Sequence, residues 1–260
     1  MTGDNQYRER NSTADRALAV FDLYSDERTV ISASEVAEHL GVARSSAYRY
    51  LQSMVGSRFL EEAESGGFRL GTRVLELARL MRRGYSLPEV AGPYMRALSR
   101  QFGQTVLLTR RAGAAIICLE REEPLGQLVR ISYERGSHLP MNAGASALAL
   151  LVGLTDDELR SLFAAQPLIQ YTKNTVTDVD ELIGRVRAIE SGQVAVTLAE
   201  VDPEAIGIAV PILNRHGRAA AALSVVALQS RLPEAQRGQI VEALQQACGD
   251  IARVLGELTN

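Results

Sequence analysis

The sequence predicts an α+β protein in two parts: a small N-terminal domain of helices with a β-hairpin, and a larger C-terminal domain of helices around an antiparallel sheet. Three observations predict it. Two short amphipathic segments between Ser32 and Leu60 flank a Gly-containing turn and lead into a hairpin pattern. An apolar helical segment then runs from Thr72 to Arg83. Beyond Thr105, strand-like runs follow one another across tight turns with helical segments between them, which is the pattern of an antiparallel sheet.

Length and composition set the bounds. The 260 residues are 46% hydrophobic, enough for one large or two modest domains, each with its own core. The formal net charge is −3, and the first 85 residues balance 12 Arg against 12 Asp plus Glu. Any nucleic-acid binding therefore rests on a local patch and not on bulk charge. Lys173 is the only Lys; the Arg bias suits bidentate contacts to phosphate and guanine, and a GC-rich genome explains it equally well. Cys118 and Cys248 stand far apart in apolar settings, so they read as buried free thiols. There is no signal peptide and no apolar run of membrane-spanning length, so a cytoplasmic protein without membrane partners is expected.

In chain order, the first ten residues are polar, and Ser12 or Thr13 opens a helix with Ala17, Leu18, Val20, Phe21, Leu23 and Tyr24 on a broad apolar face. Ser32 and Glu35 form a capping-box pattern, so a helix should begin near Ala33 and stop at Gly41. The next helix, Ala43 to Val55, turns Ala47, Leu51 and Met54 inward and presents Arg44, Ser45, Ser46, Tyr48, Arg49 and Gln52 outward. Those outward side chains are ones that phosphates and base edges accept. No Asp or Glu lies between Glu38 and Glu61, whereas Arg44, Arg49 and Arg58 do. Strand-like Phe59–Ala63 and Gly67–Leu70, joined by the turn Glu64-Ser65-Gly66-Gly67, complete a winged helix-turn-helix. The expected DNA contacts are Arg44, Ser45, Ser46, Tyr48 and Arg49 on the second helix and Arg69 on the wing. Glu61, Glu62 and Glu64 should limit what else the wing adds.

The helix from Thr72 is too apolar on both sides to be a solvated linker, and the periodicity changes past Ser86-Leu87-Pro88. The expected domains are 1–71, a connecting helix 72–86, and 87–260. In the last, Leu87–Phe102 reads as a helix, Thr105–Arg110, Ala114–Glu120 and Gln127–Ser132 as strands, and Ala145–Leu151, Asp156–Ala165 and Asp178–Ser191 as helices. Ile206–Leu213 and Arg218–Leu228 are strongly apolar strands, and Pro233–Leu258 is a long final helix.

The order of elements, with Arg16-Ala-Leu, Ala37-Glu-His-Leu-Gly, Tyr48-Arg49-Tyr50-Leu51 and Phe68-Arg-Leu-Gly71, resembles the IclR family of bacterial transcriptional regulators over nearly the whole chain. The resemblance implies a GAF-like effector-binding domain, a connecting helix that helps hold two subunits together, and a dimer or dimer of dimers on a palindromic operator in double-stranded DNA. It also implies a small-molecule effector, such as a small organic acid or related catabolic metabolite. The family's effector loop corresponds to Leu139-Pro-Met-Asn-Ala-Gly-Ala-Ser-Ala147, where amides at a helix start would receive the effector at Gly144, Ala145 and Ser146. The rest of its cavity corresponds to Leu128 and Ile131, then Glu200, Ala205 and Gly207, then Ser224 and Val226. The chain departs from the family pattern at Asn142 (usually His), Ala147-Leu148 (usually Gly-Lys), Glu204 (usually Gly) and Arg58 (usually Gly).

An enzyme is not expected. His39, His138 and His216 have no metal-ligand spacing, Ser146 lies outside any Gly-x-Ser-x-Gly, and no glycine-rich phosphate loop exists, so no cofactor is expected either. The remaining alternative is a ligand-sensing module whose winged helix contacts protein instead of DNA.

Overall fold

The computed structural model describes residues 12–25, 27–84, 86–124, 133–165 and 167–258. The expected strand over 127–132, with Leu128 and Ile131, lies outside the described residues. Contacts divide the chain into two compact units, Met1–Gly84 and Tyr85–Asn260.

In the first unit, α1 (Ser12–Ala19) passes through a 3-10 turn into β1 (Val30–Ile31), followed by α2 (Ala33–Leu40) and α3 (Arg44–Gly56). The capping box forms at the start of α2: Glu35 N–H donates to Ser32 Oγ at 3.2 Å, and Ser32 N–H donates to Glu35 Oε2 at 2.7 Å. Helix α2 ends at Gly41 in the left-handed region, φ +62°. Ala47, Leu51 and Met54 of α3 are buried with Val20, Ile31, Val36, Leu60 and Phe68. Strands β2 (Leu60–Glu62) and β3 (Phe68–Leu70) form the wing hairpin, and β1 adds to its β3 edge to give the order β1-β3-β2. Two residues show no alternation, which is why β1 was not legible in the sequence.

The exit from α3 explains one departure from the family pattern. Arg58 N–H donates to Val55 O and Phe59 N–H to Met54 O, both at 2.9 Å, which is a Schellman motif with Arg58 in the left-handed position at φ +63°. Glycine suits this conformation without a Cβ penalty, and here an arginine adopts it. Its guanidinium reaches Glu76 Oε1 at 3.1 Å on α4 (Thr72–Gly84).

The second unit is a six-stranded antiparallel sheet of β4 (Thr105–Ala112), β5 (Ala115–Glu122), β6 (His138–Leu139), β7 (Ala195–Leu198), β8 (Ala205–Leu213) and β9 (Ala219–Leu228). Their order is β6-β5-β4-β9-β8-β7. The two faces carry different layers. On one, Val106, Leu108, Ile206, Ile208, Leu223 and Val225 pack with α5 (Ser86–Phe102) and α9 (Glu234–Leu258). The alternate residues Ala209 and Ala222 face the layer of α6 (Ala145–Leu150), α7 (Asp156–Ala164) and α8 (Val179–Glu190). This period-two partition is what a sheet covered on both sides requires. Strands β6 and β7 were absent from the expected elements; both are short edge strands defined by their partners.

Ala221 and Ala222 are fully buried, one in each layer's core, so the alanine run of β9 closes helices onto the sheet and opens no cavity. Gly207 lets α6 approach the sheet closely, because a Cβ there would stand 3.2 Å from Ala145 Cβ and 3.1 Å from Thr197 Oγ1.

Candidate nucleic-acid interface and ligand cavity

Helix α3 presents two outward stripes at helical spacing. Arg44, Tyr48 and Gln52 turn toward the wing: the Tyr48 ring meets Phe68 edge-to-face at 6.1 Å and 71°, and Gln52 Nε2 donates to Glu62 Oε1 at 2.9 Å. Arg44 and Tyr48 share a groove with Ser32, Glu62, Gly66 and Phe68. Ser45 and Arg49 lie on the outermost stripe and are exposed, with half-buried Ser46 beside them. Arg69 is exposed on β3, and its Nη2 donates to Glu61 Oε2 at 3.4 Å, while Glu61 Oε1 accepts from Thr72 N–H at 3.2 Å. The wing carboxylates Glu61 and Glu62 are thus engaged within the domain, which tempers the repulsion expected of them.

In the second unit the sequence-named residues converge. A small cavity of about 50 Å³ opens on the α6 face of the sheet. Gly144, Ala145, Ser146, Glu200, Ala205, Gly207, Ser224 and Val226 all line it. Strands β4, β8 and β9 supply the floor through Leu107, Gly207 and Ser224, which fall on that face by the two-residue period. Ser146 Oγ donates to Ser224 Oγ at 2.9 Å, joining α6 to β9.

The loop geometry gives one of the loop amides a partner within the protein. The amide of Gly144, expected to await a ligand, donates to Glu200 Oε2 at 3.0 Å. Glu200 is 7% exposed and its Oε1 is ion-paired with Arg185 Nη2 of α8 at 2.6 Å. A carboxylate of the protein therefore already occupies one donor at the start of α6. The backbone carbonyl of Glu200 also accepts from Thr175 Oγ, and Asn142 Nδ2 donates to Ile169 O and Val176 O. Asn142, which stands where the family usually has His, thus tethers the 167–177 segment beside the cavity loop.

Sequence reasoning missed Leu107, Tyr133, Thr197, Val201 and Asp202 on the cavity wall, while Leu139 and Ala143 there belong to the loop it named. Tyr133 and Asp202 add polar chemistry. The Tyr133 hydroxyl is buried and has no hydrogen-bond partner among the described residues. Burial foremost, then the charge of Asp202, pushes its phenol pKa up, so it remains a donor. A lone Tyr and an Asp 69 positions apart, 202 − 133 by number, carry no motif that could have paired them. Among the described residues no cluster of His, Cys, Asp and Glu could hold a metal ion, and no helix is long and apolar enough to cross a membrane.

A winged helix-turn-helix unit and an α+β unit that carries a lined cavity are the parts of a ligand-sensing transcriptional regulator. Residues 13–64 match the IclR helix-turn-helix domain and residues 82–253 the bacterial transcriptional regulator IclR C-terminal domain, and the chain belongs to the IclR family. It is 26% identical to the HTH-type transcriptional regulator KipR of Bacillus subtilis over 96% of this chain and 99% of that one. It is 27% identical to the HTH-type transcriptional regulator XynR of Escherichia coli over 94% and 97%. Among solved structures, an IclR homolog complexed with 4-hydroxybenzoate, from Microbacterium hydrocarbonoxydans, superposes with a TM-score of 0.77 at 27% identity, covering 93% of this chain and 98% of that one. These relatives are DNA-binding regulators and not enzymes, and they disfavour a winged helix devoted to protein contacts.

Proposed function

We propose that this protein is a ligand-responsive transcription factor in which a small molecule bound in the second unit's cavity modulates operator binding by the first. Arg44, Ser45, Ser46, Tyr48 and Arg49 of α3 meet the major groove, and Arg69 meets the DNA from the wing. The assembly is a dimer or dimer of dimers on a palindromic site, acting in the cytoplasm. Residues 1–71, 72–86 and 87–260 serve as reading domain, connector and sensor. Exposed Leu75 and Leu80 on α4 support its use between subunits. The observation that carries the reading is the convergence of eight family-implied residues on one cavity in a chain whose N-terminal unit is a winged helix. The 4-hydroxybenzoate complex of a relative supports a small organic acid as effector.

Fluorescence anisotropy against DNA from the protein's own promoter region tests the reading. Salt-dependent binding is expected, well above that to random duplex. Ser146→Leu, which fills the cavity, should abolish the effector response and leave operator binding intact. No preference for that DNA, or a normal response in Ser146→Leu, would contradict it.

A further inference from the structure

We infer that Tyr133 is a specificity-determining residue of the effector site: its hydroxyl hydrogen-bonds a polar group of the effector, and Arg121 positions it to do so. The inference rests on the reading of this cavity as the effector site. The polar side chains that the family resemblance places there are already engaged, Glu200 with the Gly144 amide and Arg185, and Ser146 with Ser224. Tyr133 is not. Of the buried side-chain polar atoms that lack a hydrogen-bond partner among the described residues, its hydroxyl oxygen is the one on the cavity wall.

Arg121 of β5 stands opposite Leu107 of β4 in the register, so it leaves the sheet from the face on which Leu107 lines the cavity. Its Nη1 donates to the Tyr133 backbone carbonyl at 2.9 Å, its Nη2 is ion-paired with Glu123, and its side chain is 11% exposed. A largely buried guanidinium thus anchors the residue whose ring reaches the cavity. A buried hydroxyl without a partner carries its full desolvation cost. A ligand that supplies the partner removes that cost. A phenol both donates and accepts, so it meets an effector group of either kind, whereas an apolar group placed there leaves the hydroxyl unpaired and is rejected. The apolar wall of Leu107, Leu139 and Val226 accommodates the effector's hydrocarbon body.

Isothermal titration of the full chain with 4-hydroxybenzoate and with acetate tests this. At least one of the two acids should bind, and Tyr133→Phe should bind it about tenfold more weakly. The melting temperature of unliganded Tyr133→Phe should not fall, since the hydroxyl removed had no partner to lose. Arg121→Met should weaken binding comparably. The double variant Arg121→Met/Tyr133→Phe should bind no more weakly than Tyr133→Phe, because a residue that acts through the phenol adds nothing once its hydroxyl is gone. Binding by neither acid, unchanged affinity in Tyr133→Phe, or a lower melting temperature in that variant would overturn the inference, and additive losses in the double variant would overturn the positioning role of Arg121. Binding abolished by Ser146→Leu but indifferent to Tyr133→Phe sinks only this inference. Binding that survives Ser146→Leu sinks the cavity as the effector site.

Discussion

Glu200 and Gly144 are joined across 56 residues by a 3.0 Å hydrogen bond from the Gly144 amide to Glu200 Oε2, while the other carboxylate oxygen is held by Arg185. One buried side chain thus ties the cavity loop to α8. Arg185→Ala should destabilise the second unit by about 2–4 kcal/mol, because it leaves Glu200 charged, buried and without its cation. Urea denaturation followed by far-UV circular dichroism reads this; a loss below half a kcal/mol would show that the pair carries no structural weight.

Tyr48 is 48% exposed, yet its ring rests edge-on against Phe68, so the role in DNA binding proposed for it includes the placing of α3 against the wing. Tyr48→Phe keeps that contact and should hold operator affinity within about threefold, whereas Tyr48→Ala should cost roughly 1–2 kcal/mol. Anisotropy titrations decide between this and a hydroxyl contact to DNA, for which Phe would be as damaging as Ala.

The two arginines of α3 occupy different stripes, and Arg49 is on the outermost one. If it reads a base, Arg49→Ala should lose about 1–3 kcal/mol on the operator and relax selection at one base pair. Selection from random duplexes before and after the substitution measures both effects; uniform weakening at an unchanged consensus would assign Arg49 to phosphate.

Arg58 holds a left-handed conformation at φ +63°. Neither Gly nor Ala keeps the ion pair to Glu76, so comparing them isolates the backbone. Arg58→Gly should be more stable than Arg58→Ala by about 1 kcal/mol, the reverse of the usual order within a helix. Thermal unfolding of the two variants is the check, and a more stable Ala variant would mean that the exit from α3 relaxes.

Glu35 is held below the usual carboxylate range, first by the backbone amide of Ser32 and then by its hydroxyl. A folded-state pKa below the unfolded value contributes stability that is present above the ordinary value of 4.5 and is lost as pH falls through the depressed one. Glu35→Gln retains a capping acceptor that does not titrate, so its stability should fall less steeply than wild type below about pH 4.5. Parallel acid limbs in chemical denaturation would refute a capping role for the charge.

Much of this molecule was legible before any coordinates. Local chemistry determined the capping box at Ser32 and Glu35, the left-handed stop at Gly41 and the inward set Ala47, Leu51 and Met54, because each depends on neighbours within a turn or two of helix. The long apolar strands β8 and β9 and helix α9 declared themselves by period. Strands β1, β6 and β7 did not, since two to four residues become a strand only when a partner supplies the ladder. The cavity was legible only where resemblance pointed to it. Tertiary structure alone put Tyr133 and Asp202 on one cavity wall, set Glu200 on the Gly144 amide and laid the wing against Tyr48. Each of these joins residues far apart in sequence, where chain folding and not local preference decides which groups meet, and where burial makes an unpaired polar group costly enough to matter.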